Sequence, residues 1–417
     1  DDPMLSRQDL MSGKSPEWME IFQLTTEEDV PSSHVYMEAQ IFTPDSKRLI
    51  VHRSARAHGG DKDDPEHQYL ICDLENDGEL SPITFEIGVK GPAVSPDGEY
   101  LYYFVDRTEV GGGSLTLKRV SLDGTERETI HVIDSQLPGT NFRPSFVYPL
   151  STISSDGERI AISCFLRDGE REDLPYGLLV FEIEESSVRV PVYGNMWTNM
   201  HSQYCRSLDP EASHDIMVQH NHSHFFDRAG NRHFSTGGLQ NDIHVIHDDV
   251  TNLRVFPWGR DPTERQAGHE CWIGRSTRGI TGTRHTPTGE GQLIEGRRAV
   301  QDLGHLGMNT PGAKRWRNNL SRSFVRPNLI HFGVDIEGKR LIVDEAPRPE
   351  KPTGYIYLAD IPDDGESPLQ NVTPLLGVQS SWQKITHPHP FLSPDGTMGF
   401  FNSDESGILQ AYMVRGW

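Results

Sequence analysis

Apolar residues along this chain fall in short runs separated by turn-forming residues, and no stretch carries the three-to-four spacing of an amphipathic helix. The runs Arg48-Leu-Ile-Val-His52, Tyr100-Leu-Tyr-Tyr-Phe104, Arg159-Ile-Ala-Ile-Ser163 and Arg340-Leu-Ile-Val-Asp344 read as strands. Each follows a turn signal of one kind. It is clearest at Thr43-Pro44-Asp45-Ser46, Ser95-Pro96-Asp97-Gly98, Ser154-Ser155-Asp156-Gly157 and Ser393-Pro394-Asp395-Gly396. Degenerate copies stand at Leu208-Asp209-Pro210 and Asp335-Ile336-Glu337-Gly338. Proline and aspartate suit the early turn positions and glycine supplies positive φ, so this is hairpin chemistry.

The turns centre on residues 45, 97, 156, 209, 335 and 395, and the gap from 209 to 335 is about twice the others. One repeat whose signal is lost near Trp272 fills it. Seven units of roughly sixty residues result, each with room for a four-stranded blade. The expected fold is all-β, a seven-bladed β-propeller spanning 1–417 as one domain, with six or eight blades as alternatives. The stretch Met19-Glu-Ile-Phe-Gln-Leu-Thr25 precedes the first turn and is expected to close the ring against the last blade. Two stretches interrupt the repeat, at about 219–238 (rich in His and Gly) and about 275–319 (rich in Arg and Gly). Neither shows strand or helix patterning. Both read as long functional insertions on the mouth that carries the site.

Composition narrows the function classes. No apolar run approaches the eighteen or so residues of a membrane span, so a soluble protein with no membrane partner is expected. No N-terminal segment reads as a signal peptide. The compartment, cytoplasmic or periplasmic, stays open. The four cysteines, Cys72, Cys164, Cys205 and Cys271, are isolated and read as buried free thiols. A net charge of −22 argues against a nucleic-acid partner. Residues 259–330 run the other way, with twelve Arg and Lys against six Asp and Glu. Such a segment fits either an anionic small ligand or a solvated basic loop.

Nineteen histidines is a high count, and several cluster. In Thr386-His387-Pro388-His389-Pro390 two imidazoles stand two apart on a segment stiffened by prolines. His331 stands at the end of a strand, in Asn328-Leu-Ile-His-Phe-Gly-Val-Asp335. Two such histidines plus a distant one suit a divalent transition metal, although the His-x-His spacing alone is a weak signal. His269-Glu270-Cys271-Trp272 is a further candidate; a His beside a Glu is often only a structural pair.

Together these motifs resemble the oligogalacturonate lyases. Ser381-Trp382 followed by Ile385-Thr386-His387-Pro388-His389-Pro390 and Ser393-Pro394-Asp395 looks like that family's last blade. His331, Gly338 and Leu341-Ile-Val-Asp344 are similar to its preceding blade, and Gly268-His269-Glu270-x-Trp272 to its His-Glu-aromatic-Trp motif. His201-Ser-Gln203-Tyr204 with His220 is a looser match. The resemblance implies a seven-bladed propeller that binds a manganese ion through three His and one Gln and splits short uronic-acid oligosaccharides by β-elimination. The metal histidines would be His331, His387 and His389, and the general base His269. His201, Gln203 and His220 would contact the anionic oligosaccharide.

The chain departs from that pattern twice. Lys384 stands where the family has its fourth ligand, a Gln, and Gln383 is one residue off. Gln383 serves as a ligand only if a bulge re-aims it, whereas Lys384 could instead pair with a substrate carboxylate. At the family's substrate-binding Arg the chain has Asp242, and the Arg-rich stretch beginning at Arg275 is expected to supply replacements. The expected activity is metal-assisted β-elimination of uronides giving a 4,5-unsaturated product. The alternative is a non-catalytic carbohydrate- or protein-binding propeller that has lost full metal ligation. A serine-peptidase reading fails because no Gly-x-Ser-x-Gly elbow is present.

Overall fold

The structure, a computed structural model, describes the chain except residues 1–3, 62, 110–111, 196, 222–223, 235–240, 257–263, 286–287 and 302–316. Its repeated turn is closed by side chains. In the last copy the Ser393 hydroxyl donates to Asp395 Oδ1 (2.6 Å), which also accepts from the Thr397 N–H (3.1 Å), while Ser393 Oγ accepts from the Met398 N–H (3.0 Å). The turns at Asp45, Asp97 and Asp156 repeat this scheme. Gly98 takes φ +76°, and a Cβ there would lie 2.8 Å from Pro44 Cδ of the preceding turn. Ser46 holds the same position in the first turn at φ +61°, and its Oγ accepts from the Asp395 N–H at 3.2 Å. The turns therefore nest against one another around one mouth of a ring.

Seven blades form that ring. From the axis outward, blade one is Ser33–His34, Arg48–His52, Tyr69–Asp73 and Glu79–Pro82, and blade two is Val89–Val94, Tyr100–Glu109, Gly112–Ser121 and Arg127–Ile133. Blade three has an inner strand in two pieces, Arg143–Ser145 and Ser151–Ile153, then Arg159–Arg167, Tyr176–Glu182 and Ser187–Gly194. Blade four is Gln203–Tyr204, Asp215–Asn221, Asn241–His247 and Arg254–Val255. Blade five is Glu264–Trp272, Gly279–His285, Gly291–Gly296 and Arg317–Asn319, and blade six is Leu329–Val334, Arg340–Glu345, Gly354–Asp360 and Gln370–Val378. Blade seven takes Phe391–Leu392, Met398–Ser403 and Gln410–Arg415 from the C-terminus and Glu20–Gln23 from the N-terminus. Glu20 pairs opposite Arg415 and Gln23 opposite Tyr412, so the first strand closes the ring as expected.

Both faces of a blade are covered by its neighbours, which explains the unbroken apolar runs in the sequence. Phe104, Leu115 and Leu117 of blade two, for example, pack with Ile160, Ile162 and Cys164 of blade three. All four cysteines are free thiols. Among the described residues no helix is long and apolar enough to cross a membrane.

The two insertions need correction. Within 219–238 a small hairpin pairs His224–Phe226 with Arg232–Phe234; 222–223 and 235–238 lie outside the described residues. Within 275–319, Gly279–His285, Gly291–Gly296 and Arg317–Asn319 are strands of blade five and Val300–Gln301 pairs with Arg254–Val255 of blade four, while 286–287 and 302–316 lie outside the described residues. The blade-five strands hid because glycines at 279, 282, 291 and 296 interrupt the alternation that marks a strand.

Candidate metal centre and active site

The innermost strands run from the opposite mouth of the ring towards the nested turns, and the site histidines lie within them or, in blade seven, just before one. His331 occupies the first half of blade six's inner strand, with a register shift between Leu329 and Phe332. His269 lies in blade five's inner strand, flanked by register shifts between Gln266, Gly268 and Glu270. Such bulges re-aim side chains, here towards the axis. His387 and His389 precede the inner strand of blade seven. His269 takes φ +62°, His389 +45° and His201 +48°. A non-glycine residue in this region costs about 1–3 kcal/mol, and such strain gathers at functional sites.

The three histidines expected to hold a metal do converge. His331, His387 and His389 each offer a ring nitrogen, and these atoms all lie within 4.8 Å of one another. His331 Nδ1 is 2.8 Å from Asp344 Oδ2, and its backbone N–H donates to Asp344 Oδ1 at 2.9 Å. That anchoring leaves Nε2 to face the cluster, the arrangement common at metal-binding histidines. Both ring nitrogens of His389 are buried with no hydrogen-bond partner. An orphaned buried imidazole is costly unless something absent from the protein satisfies it. Burial holds His331 and His389 well below the ordinary histidine range and lowers His387 as well, so all three are in the neutral form that binds metals. The donor set fits a divalent transition metal.

His269 adjoins this set, its ring centroid 4.7 Å from that of His331. Its Nδ1 lies 3.1 Å from the Ile330 carbonyl, which can only accept, so Nδ1 carries the proton and Nε2 keeps its lone pair. Burial, then the neighbouring His331, holds this imidazole well below the usual range. The geometry leaves a neutral imidazole with a free Nε2 beside the three converging histidines.

The other expected residues divide. His201 belongs to the channel: its Nδ1 is 2.9 Å from Glu38 Oε1 and its Nε2 3.2 Å from the Tyr148 hydroxyl. Burial opposes its charge, but Glu38 outweighs that and raises it to about 9. Gln203 is buried, its side-chain amide donating to the Glu270 backbone carbonyl (2.6 Å) while its backbone carbonyl accepts from Trp272 Nε1 (2.9 Å). His220 packs on Trp197 and His244 (centroids 4.1 and 5.2 Å); strand alternation turns Gln219, not His220, towards Gly268. Arg275 follows the inner strand of blade five on the nested-turn mouth, paired with Glu337 at 3.1 Å, so it does not reach the histidines. Asp242 is buried in blade four's third strand, opposite His220.

Gln383 and Lys384 are not in a strand. Lys384–Thr386 is a 3-10 turn that Gln383 caps, and both side chains are exposed. A strand-face or bulge account of Gln383 therefore does not apply. Lys384 is solvent-exposed, and its charge is among those lowering His387 and His58.

Sequence reasoning missed four site residues. His58 stacks on Tyr36 (5.1 Å) and meets His389 edge-on (4.7 Å); its loop docks through the Ala57 N–H on the Ile385 carbonyl at 2.9 Å. Tyr36 also touches His201, and Tyr148 and Glu38 complete the channel wall. Only tertiary proximity marks these residues, since none sits in a motif. Glu270, expected beside His269, is buried with both carboxylate oxygens unpartnered, and burial raises it to about 8.

No family model matches the chain, and no curated protein matches it. Solved structures do. An oligogalacturonate lyase in complex with manganese is similar over 100% of this chain and 97% of its own, at 17% identity and a TM-score of 0.71. A second, the oligogalacturonate lyase from Vibrio parahaemolyticus, matches over 99% and 97%, at 17% identity and a TM-score of 0.68. A prolyl endopeptidase matches more loosely, over 93% of this chain and 51% of its own, at 12% identity and a TM-score of 0.54. At these identities the likeness is one of fold, and propellers host many functions. Over its full length this chain has the seven-bladed fold of the oligogalacturonate lyases.

Proposed function

We propose that the protein is a lyase that cleaves uronic-acid-containing oligosaccharides by β-elimination at the histidine mouth of its channel. One observation carries this reading: three neutral imidazoles converge within 4.8 Å and a fourth, His269, stands beside them with a free Nε2. His331, His387 and His389 would hold a divalent ion, with manganese favoured by the similarity to the manganese complex. Such an ion, when bound, neutralises a uronate carboxylate and the charge that develops on it.

The chain's own residues supply the rest. The C5 proton of a uronate is weakly acidic, because the charge left by its removal spreads into the C6 carboxylate. His269 Nε2 takes that proton, the electron pair forms the C4–C5 double bond, and the C4–O bond breaks. The departing oxygen takes a proton from water and leaves as the new hydroxyl of the neighbouring sugar. His201, held cationic by Glu38, offers a positive charge to a carboxylate of the same chain. The test is incubation with oligogalacturonates and manganese while following ultraviolet absorbance of the 4,5-unsaturated product. No such product from any uronide, in protein shown to hold metal, would sink the reading.

A further inference from the structure

Away from the channel, on the same mouth of the ring, lies a cleft of about 620 Å³ lined by Arg143, Arg167, Arg171 and Arg228. Its walls are the loop that follows the second strand of blade three and the hairpin inserted in blade four. These are joined by the Leu174 N–H on the Phe226 carbonyl (2.8 Å) and the Arg228 N–H on the Glu172 carbonyl (2.9 Å). Strand Arg159–Arg167 leaves the nested turns at Asp156, so Arg167 ends at the histidine mouth.

The charges in this cleft are poorly balanced. Arg171 is paired with Asp173 at 2.7 Å, and the other acid, Asp168, accepts the N–H groups of Glu170 and Arg171. Arg228 comes no nearer than 4.0 Å to its carboxylate, Glu172. Arg143 donates to the Asp134 carbonyl (3.0 Å), and Arg167 to Ser145 Oγ and the Arg228 carbonyl (2.9 Å each), neither of which is an acid. Arg167 Nη2 is buried with no partner at all. Three guanidiniums left without a close carboxylate are unexpected in a chain of net charge −22. Beneath Arg167 lies Phe146, 43% exposed and at φ +47°, with the guanidinium 5.1 Å from its ring centroid. Fork-shaped donors lining a cleft suit a sugar ring that carries a carboxylate.

We infer that this cleft is an accessory subsite for the carboxylates of a uronate chain whose other end enters the histidine mouth. Continuity supports it: Arg143 is five residues from Tyr148, at most roughly 17 Å of backbone, and the Tyr148 hydroxyl touches His201. The volume lies in the range of small-molecule sites. The choice of a uronate rests on the function proposed above, but the cleft can be tested separately.

The experiment is calorimetric titration with hexagalacturonate, using maltohexaose as the uncharged control. The proteins are the parent, His389→Ala, the double variant Arg143→Gln/Arg228→Gln, and Arg167→Gln, each checked for native circular dichroism. The inference expects His389→Ala to bind hexagalacturonate still, with affinity falling as salt rises. Either arginine variant should bind about tenfold more weakly, the loss of one or two charge-assisted contacts. Failure of the lyase reading alone would leave that pattern intact while no uronide is cleaved. Three results would overturn the cleft: parental affinity in both arginine variants, no binding by the parent, or equal binding of maltohexaose.

Discussion

His331 Nδ1 and Asp344 Oδ2 lie 2.8 Å apart, with the His331 backbone N–H on the other oxygen of the same buried carboxylate. The pair fixes both the tautomer and the ring orientation of a proposed metal ligand. Asp344→Asn keeps the shape but replaces one of the two oxygens that face the His331 N–H and Nδ1 with an NH2 donor. It should fold normally and lose about 10- to 100-fold in manganese affinity, read by metal titration under chelator competition. Unchanged affinity would show that the pair is only structural.

His389 and His269 should fail in different ways. His389→Ala removes an imidazole with two unpartnered buried nitrogens and should abolish metal retention while leaving the metal-free protein folded. His269→Ala should keep its metal and lose at least about 100-fold in kcat, the usual contribution of a positioned base. Metal analysis alongside steady-state rates separates the two. A His269→Ala protein with near-parental rates would move the base elsewhere, with His58 the nearest unassigned imidazole.

Lys384 is exposed and lies in a 3-10 turn rather than in the strand that follows the paired histidines. Protein purified without chelator should therefore hold close to one metal per chain, and Lys384→Gln should change its affinity by less than about threefold, the scale of a screened surface charge. A metal-free parent that gains metal on this substitution would show that the lysine takes the ion's place.

Glu38 makes His201 a cation at neutral pH, raising it to about 9 against the effect of burial. In Glu38→Gln that support is gone and burial remains, so the imidazole should titrate below its ordinary 6.5. The His201 Cε1–H resonance, followed by NMR from pH 5 to 10, reports this directly. An unshifted midpoint would remove His201 as a carboxylate partner.

His34 sets an acid limit on stability. Its Nε2 faces the Tyr412 carbonyl (2.9 Å), its Nδ1 is buried with no partner, and burial lowers it from 6.5 to about 4. Between those values the unfolded chain binds a proton that the folded chain refuses, so stability rises with pH across that window. The contribution is complete above about pH 6.5 and lost by about pH 4, on the order of 3 kcal/mol at about 1.4 kcal/mol per unit. Urea unfolding at pH 7 and 5 should show the decline, with the His34 resonance still neutral at pH 5. A His34 midpoint near 6.5 would contradict it.

Local chemistry alone determined the fold. Ser-Pro-Asp-Gly turns recur because each is closed within six residues by its own hydroxyl and carboxylate, and the strands between them are apolar throughout because blades are covered on both faces. His331, His387, His389 and His269 were likewise legible as candidates, since each sits in a short motif. Blade five was not, because its glycines erase the alternation from which strands are read. Tertiary structure decided what depends on which blades face each other. Asp344 meets His331 through the pairing of neighbouring strands, and Glu38 meets His201 across the channel from 163 residues away. His58 reaches His389 only because its loop docks on the turn at Ile385. Arg275, basic and promising by position, is placed on the wrong mouth by the direction of a single strand. A side chain's type and local spacing are written in the chain, but which end of the ring it reaches is settled only when the ring closes.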